Sequence, residues 1–190
     1  MSARAVLELL MWTLGPSVLC TYAWLYYAIM LPSTDARYAQ RLWGLFGDHR
    51  GVYFWGWAVS VLACVVAFLY FSVWLCHLGG ATSALEAHGW VVFPYGLFLG
   101  FSALYAPLLV YARPWVVVVD LACAAASAIA LCAWTALYLT QTTDGAVLCA
   151  LMAWLAVHCA VIDAFVWSWY YCVRPGYWDE DDQWQLDTYY

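Results

Sequence analysis

Residues 115–140 read W-V-V-V-V-D-L-A-C-A-A-A-S-A-I-A-L-C-A-W-T-A-L-Y-L-T, with Asp120 the single charged side chain in the run. A helix that crosses a bilayer needs about 20 consecutive, mostly apolar residues. This stretch is long enough and apolar throughout. Strands of a membrane barrel are shorter and alternate apolar with polar, so a helix is the better reading. Four further runs share the same character, at about 5–31, 52–78, 88–112 and 145–173. Breakers stand at their ends: Pro32, Gly79-Gly80, Arg113-Pro114, Asp144-Gly145 and Arg174-Pro175. The sequence therefore predicts an all-α integral membrane protein, a bundle of five transmembrane helices. Residues 1–175 form one membrane domain, and 176–190 form an acidic, aromatic tail.

Composition agrees. Of the 190 residues, 67% are hydrophobic and 9% charged, and mean hydropathy is +0.77. A soluble domain carries about 25% charged residues, and a water-soluble globule of this length has too little interior for so much apolar surface. The net charge of -6 repels phosphates, which argues against nucleic-acid binding. The lipid bilayer is the expected partner. The first run is too long for a signal-peptide core, and no A-x-A cleavage site follows it, so it reads as a retained anchor.

Five crossings place the termini on opposite sides. Arg37, Arg41 and Arg50 lie in the first loop, Arg113 in the third, and Arg174 after the last run; only Arg4 lies on the other side. Positive residues favour the cytosolic side, so the first loop, third loop and C-terminus are expected there. Runs three and four, joined only by Arg113-Pro114, should form an antiparallel hairpin. The small residues of 122–130 allow close approach to a neighbouring helix. Many of the 14 Trp and 15 Tyr sit near run ends, as in an interfacial belt. Trp12, Trp134 and Trp154 lie deeper. They suit packing or a ring-lined pocket for a flat apolar ligand.

A charged group at bilayer depth costs about 2.5–3.5 kcal/mol on insertion scales, so each one calls for a reason. Glu8 and His77 lie near run ends, within reach of water. Asp120 reads as a cap or a bridge between helices. His158 and Asp163 lie deep in the fifth run, as polar anchors of a ligand cavity or as bonds to neighbouring helices. Five residues apart on an α-helix they point in different directions, and no direct pair is expected. Trp154 and His158, four apart, share a face. The eight Cys show no C-x-x-C or metal-ligand spacing and read as packing residues. No catalytic signature is present: no H-E-x-x-H, G-x-S-x-G or P-loop. Neither an enzyme nor a metal protein is expected, although Asp163 keeps a third class in view, an intramembrane isomerase with a buried carboxylate.

In order along the chain stand Thr13-Leu14-Gly15-Pro16-Ser17, Val73-Trp74, Leu78-Gly79-Gly80 with Thr82, Gly96-Leu97, Gly100, Ala103-Leu104 and Pro107. They continue with Ala112-Arg113, Trp115, Asp120-Leu121 and an Ala-rich stretch, Ala153-Trp154-Leu155-Ala156, and an aromatic end at Trp167. This series resembles the translocator protein family, also called tryptophan-rich sensory proteins or peripheral benzodiazepine receptors, over nearly the whole chain. The resemblance implies a five-helix bundle that binds porphyrins, sterols and drug-like ligands, often as a dimer, and a mitochondrial membrane. It places the family's pocket tryptophans on Trp115 and Trp154, and the fifth-span asparagine on Ile162, with Asp163 adjacent. It matches the family's sterol motif to Val166, Tyr170 and Arg174, in the loose L/V-x-Y-x-R pattern. The family's Pro-rich approach to the second span and its F-G-P-V-W-T are missing. Here stand Trp43-Gly44-Leu45-Phe46-Gly47 and Trp55-Gly56-Trp57, with no proline between Ser33 and Phe93. That departure implies a divergent member.

Two functions follow as expectations. In the first, a porphyrin, haem or sterol stacks on Trp115 and Trp154, meets His158 or Asp163, and is covered by a lid bearing Arg37, Arg41 and Arg50, which suit carboxylates. In the second, the chain is an accessory subunit of a mitochondrial membrane complex, such as a respiratory complex, and its acidic aromatic tail docks on neighbours.

Overall fold

The computed structural model describes residues 2–25, 27, 52–77, 79–111, 114–139 and 143–169. Among them every element is helical. Helix α1 spans Ala3–Trp24, α2 Val52–His77, α3 Gly79–Ala87, α4 Val92–Tyr111, α5 Pro114–Leu139 and α6 Thr143–Val157. A single 3-10 turn, Gly89–Val91, leads into α4, and α6 runs on into a π-helical segment, His158–Trp167. Five of these helical stretches are long and apolar enough to cross a membrane: Ala3–Trp24, Trp55–His77, Gly89–Leu109, Trp115–Leu139 and Gly145–Trp167. The chain is thus a five-helix membrane bundle. In hydrocarbon no water replaces a missing backbone hydrogen bond, and helices satisfy their own.

Local chemistry sets several helix ends. Ser2 caps α1, its hydroxyl accepting from the Ala5 amide at 3.2 Å. Pro114 opens α5, where a missing N–H costs nothing. Pro16 and Pro107 sit inside α1 and α4 and each removes one rung of the helix ladder. Around Pro16 the hydroxyls of Thr13 and Ser17 donate back to the carbonyls of Leu9, at 2.7 Å, and Thr13, at 2.9 Å.

The helices close a ring. α1 packs on α4, α4 on α5, α5 on α6, and α6 on α2, with a lighter contact from α2 back to α1. The α4–α5 pairing is the antiparallel hairpin expected from the Arg113-Pro114 turn. Gly89 and Gly96, seven residues apart, let α1 come close: a Cβ on Gly89 would stand 3.0 Å from the Ala3 Cβ, and one on Gly96 would stand 3.2 Å from Leu10 Cδ1.

Half of the ring is filled by one apolar cluster drawn from all the long helices, including Leu7, Phe71, Tyr95, Trp134, Leu131 and Met152. Lipid tails are as apolar as leucine, so this packing stabilises through dispersion and close fit rather than through escape from water. Polar atoms buried in this cluster find partners. The Trp134 indole N–H donates to the His88 carbonyl at 2.9 Å, and the Ser72 and Tyr95 hydroxyls meet at 2.9 Å. His88 stacks on Tyr138 with ring centroids 4.0 Å apart. A second, smaller cluster (Leu25, Ala106, Leu109, Val117, Leu121, Trp167) fills the other end. Leu19, Leu62, Leu137 and Phe165 are each at least 63% exposed, a surface that only lipid solvates without cost.

Candidate functional site

Two buried polar residues, Ser60 and His158, meet where α2 touches the π segment. On α2, Trp57, Ser60 and Cys64 recur at intervals of three and four and so fall on one stripe. Ser60 and Cys64 are buried. Ser60 lies eight residues into its helix, roughly 12 Å from its start at 1.5 Å per residue. Its hydroxyl meets Nδ1 of His158 at 2.7 Å, and either atom can donate, depending on the imidazole tautomer. The other ring nitrogen, Nε2, faces Asp163 Oδ2 at 3.5 Å, within ion-pair range but long for a hydrogen bond. Asp163 also accepts a hydrogen bond from the Trp57 side chain. Trp57, Ser60, His158 and Asp163 thus form one chain of polar contacts between two neighbouring helices.

The His158–Asp163 contact corrects the sequence reading. Five residues at about 100° each leave two side chains about 140° apart on an α-helix. Residues His158–Trp167 are π-helical, bonding i to i+5. That spacing sets residues five apart nearly above one another and brings the imidazole to the carboxylate. π segments are rare and recur at functional sites.

Asp120 is the second correction. It lies six residues into α5 on the stripe of Val117, Leu121 and Ala124, and it is 4% exposed. Among the described residues neither carboxyl oxygen has a hydrogen-bond partner, so the expected cap or bridge is not found among them. It shares its end of the bundle with Asp163: Val117 and Leu121 beside it pack in one cluster with Ala164 and Trp167 of the π segment. Tyr22 stacks on Tyr105 of α4 with centroids 6.1 Å apart, and Tyr105 meets Trp167 edge-on at 6.0 Å.

Comparison with family models, curated proteins and solved structures finds no match.

The structure brings together part of the residue set expected from sequence. His158, 3% exposed, and Asp163, its side chain 30% exposed, are one unit. Trp115 and Trp154 are 62% and 47% exposed, each on the side of its helix opposite the buried stripe. Trp154 and His158, expected to share a face, part company: the indole is accessible and the imidazole is buried. Val166 is half-buried in the π segment. The lid arginines Arg37, Arg41 and Arg50, the motif residues Tyr170 and Arg174, and the tail 176–190 lie outside the described residues. Ser60 and Trp57 were missed. Their signal was the three-and-four spacing that sets a serine and an indole on the stripe facing the fifth span.

Seven cysteines, Cys20, Cys64, Cys76, Cys123, Cys132, Cys149 and Cys159, are free thiols. Among the described residues no three His, Cys, Asp or Glu side chains cluster as metal ligands would.

Proposed function

We propose that this protein is a ligand-binding membrane protein of translocator type, with the Ser60–His158–Asp163 chain as the polar anchor for an otherwise apolar, flat ligand such as a sterol or a tetrapyrrole. The observation that carries the reading is the pairing of His158 and Asp163 through the π segment. Polar and ionisable groups at membrane depth are expensive and tend to mark substrate paths and ligand contacts. Here four of them are assembled with the help of an uncommon helix form.

The anchor suits a hydroxyl better than an acid. Asp163 accepts, and His158 donates or accepts, so a sterol hydroxyl has partners of both kinds. Porphyrin propionates would meet repulsion at Asp163 and need the loop arginines Arg37, Arg41 and Arg50. A mitochondrial membrane is the setting that the resemblance suggests.

A second reading keeps the fold for a structural job, as an accessory subunit of a larger mitochondrial complex. It is favoured by the filled half of the ring, where Phe71, Tyr95 and Trp134 leave little room, and by the accessible placement of Trp115 and Trp154. Titrating the detergent-purified chain with a sterol and with protoporphyrin, while following tryptophan fluorescence, separates the two. Saturable quenching that weakens at least tenfold in His158→Leu supports the ligand reading. No saturation with either compound, together with co-migration in a large native complex, overturns it in favour of the second.

A further inference from the structure

The end of the bundle that holds Asp163 has a feature that a sterol or a porphyrin leaves unused. Two carboxylates from different helices flank one apolar cluster: Asp120 lies on α5 between Val117 and Leu121, Asp163 lies on the π segment next to Ala164, and these neighbours pack together with Tyr105 and Trp167. Asp120 is nearly fully buried, yet both of its oxygens are without a hydrogen-bond partner among the described residues. A buried carboxylate whose acceptors are unmet is a costly group, and the cost falls when a cation or a donor reaches it. Beside it, Tyr22, Tyr105 and Trp167 form a continuous run of rings, the first pair stacked and the second edge-on. Ring faces attract cations, and aromatic walls recognise substituted ammonium groups.

The region is also reachable. Tyr22 is 38% exposed and the Asp163 side chain 30%, while Asp120 lies deeper. α1 packs chiefly on α4, and α2 packs along α6 while touching the π segment only lightly. The described residues Tyr22, Tyr105, Asp120, Asp163 and Trp167 offer acceptors and ring faces, and the basic side chain beside them is the His158 imidazole, 3.5 Å from Asp163.

We infer that this end of the bundle binds the protonated amine of an otherwise apolar molecule, with the ammonium held between Asp120 and Asp163 and its substituents against Tyr22, Tyr105 and Trp167. The inference rests on the ligand-binding reading above and narrows its ligand class: a cationic pole is favoured and an anionic one is repelled. An amine of this kind has two sources, a free apolar amine or the headgroup of an ethanolamine lipid. Both bring the same ammonium chemistry.

The test is isothermal titration of the full-length chain in dodecyl maltoside with two probes of one shape. The first is N,N-dimethyl-1-naphthylmethylamine. The second is 1-isobutylnaphthalene, which carries C–H in place of the protonated nitrogen. The amine is expected to bind saturably and at least tenfold more tightly than the hydrocarbon. Asp120→Asn and Asp163→Asn, which keep side-chain shape, should each reduce amine affinity at least tenfold more than they reduce that of the hydrocarbon. Phosphatidylethanolamine that displaces the amine assigns the site to a lipid headgroup; failure to displace assigns it to a free amine, and either result supports the ammonium chemistry. Equal affinity for the two probes in the unaltered chain overturns the inference without recourse to any variant, and leaves the broader ligand-binding reading standing. Saturable binding of neither probe, nor of a sterol or protoporphyrin, overturns both.

Discussion

Ser60→Ala tests the link between α2 and the π segment. The Ser60 hydroxyl and His158 Nδ1 are 2.7 Å apart, and the two residues are 6% and 3% exposed. With so little access, no water replaces the missing bond. Hydrogen bonds between membrane helices average about 0.6 kcal/mol in double-mutant cycles, with a maximum of about 1.7 kcal/mol. A short, buried bond belongs in the upper half of that range. Ser60→Ala should therefore cost about 1–1.5 kcal/mol, lowering the folded-to-unfolded ratio roughly five- to twelvefold. His158→Leu removes the same bond from the other side and keeps the volume filled. In a cycle of Ser60→Ala, His158→Leu and the double variant, the coupling should be about 1 kcal/mol. The assay is reversible unfolding of the full chain in mixed micelles by titrated dodecyl sulfate, followed by tryptophan fluorescence. Additive single variants, with coupling below about 0.3 kcal/mol, would refute the bond, because a shared interaction cannot give independent effects.

Gly89→Ala should destabilise by about 1–3 kcal/mol, since its new Cβ meets the Ala3 Cβ at 3.0 Å and that atom moves only with the α1 backbone. Gly96→Ala should cost less, because the neighbour is the flexible tip of Leu10, and Gly100→Ala, with nothing within 4 Å, should be neutral or stabilising by up to about 1 kcal/mol; the unfolding assay above ranks the three. Trp134→Phe keeps most of the packing against Phe71 and Tyr138 but leaves the His88 carbonyl without its indole donor, so a destabilisation of about 1–3 kcal/mol is expected by the same assay. The chain should stay in the membrane fraction after alkaline carbonate extraction. Tags at its two ends should become protease-accessible on opposite faces of sealed vesicles, whereas cleavage of both tags from one face contradicts five crossings.

The five spans were legible because the bilayer imposes one simple demand, a long apolar run with its backbone bonded internally. The stretch 115–140 meets that demand, and so does its helix, Pro114–Leu139. The hairpin after Tyr111 was legible for a related reason, as two residues leave no room for any pairing but an antiparallel one. The site was legible in its members and not in its geometry. His158 and Asp163 stand out by their charge in an apolar run, but their contact depends on a switch from i→i+4 to i→i+5 bonding. No local propensity signals that switch. Ser60 was hidden because a lone serine in an apolar helix usually bonds its own backbone, as Ser72 and Ser127 do here. Trp154 misled for a geometric reason. Four residues set it above His158 on paper, but the buried stripe of α6 runs through Met152, Leu155 and Ala156 and leaves the indole on the far side.

The most direct test of the central claim, that the π segment joins His158 to Asp163, is a dipolar-recoupling solid-state NMR measurement on the full chain in liposomes. The sample carries 15N in the histidine rings and 13C in the aspartate carboxyls, with Asp163→Asn as the blank. A cross-peak between His158 Nε2 and the Asp163 carboxyl, matching the 3.5 Å approach to Oδ2, is expected and should vanish in the blank. Identical spectra from the two samples, neither showing that cross-peak, would mean that the segment is an ordinary α-helix with the two side chains turned apart, and the proposed anchor would not exist.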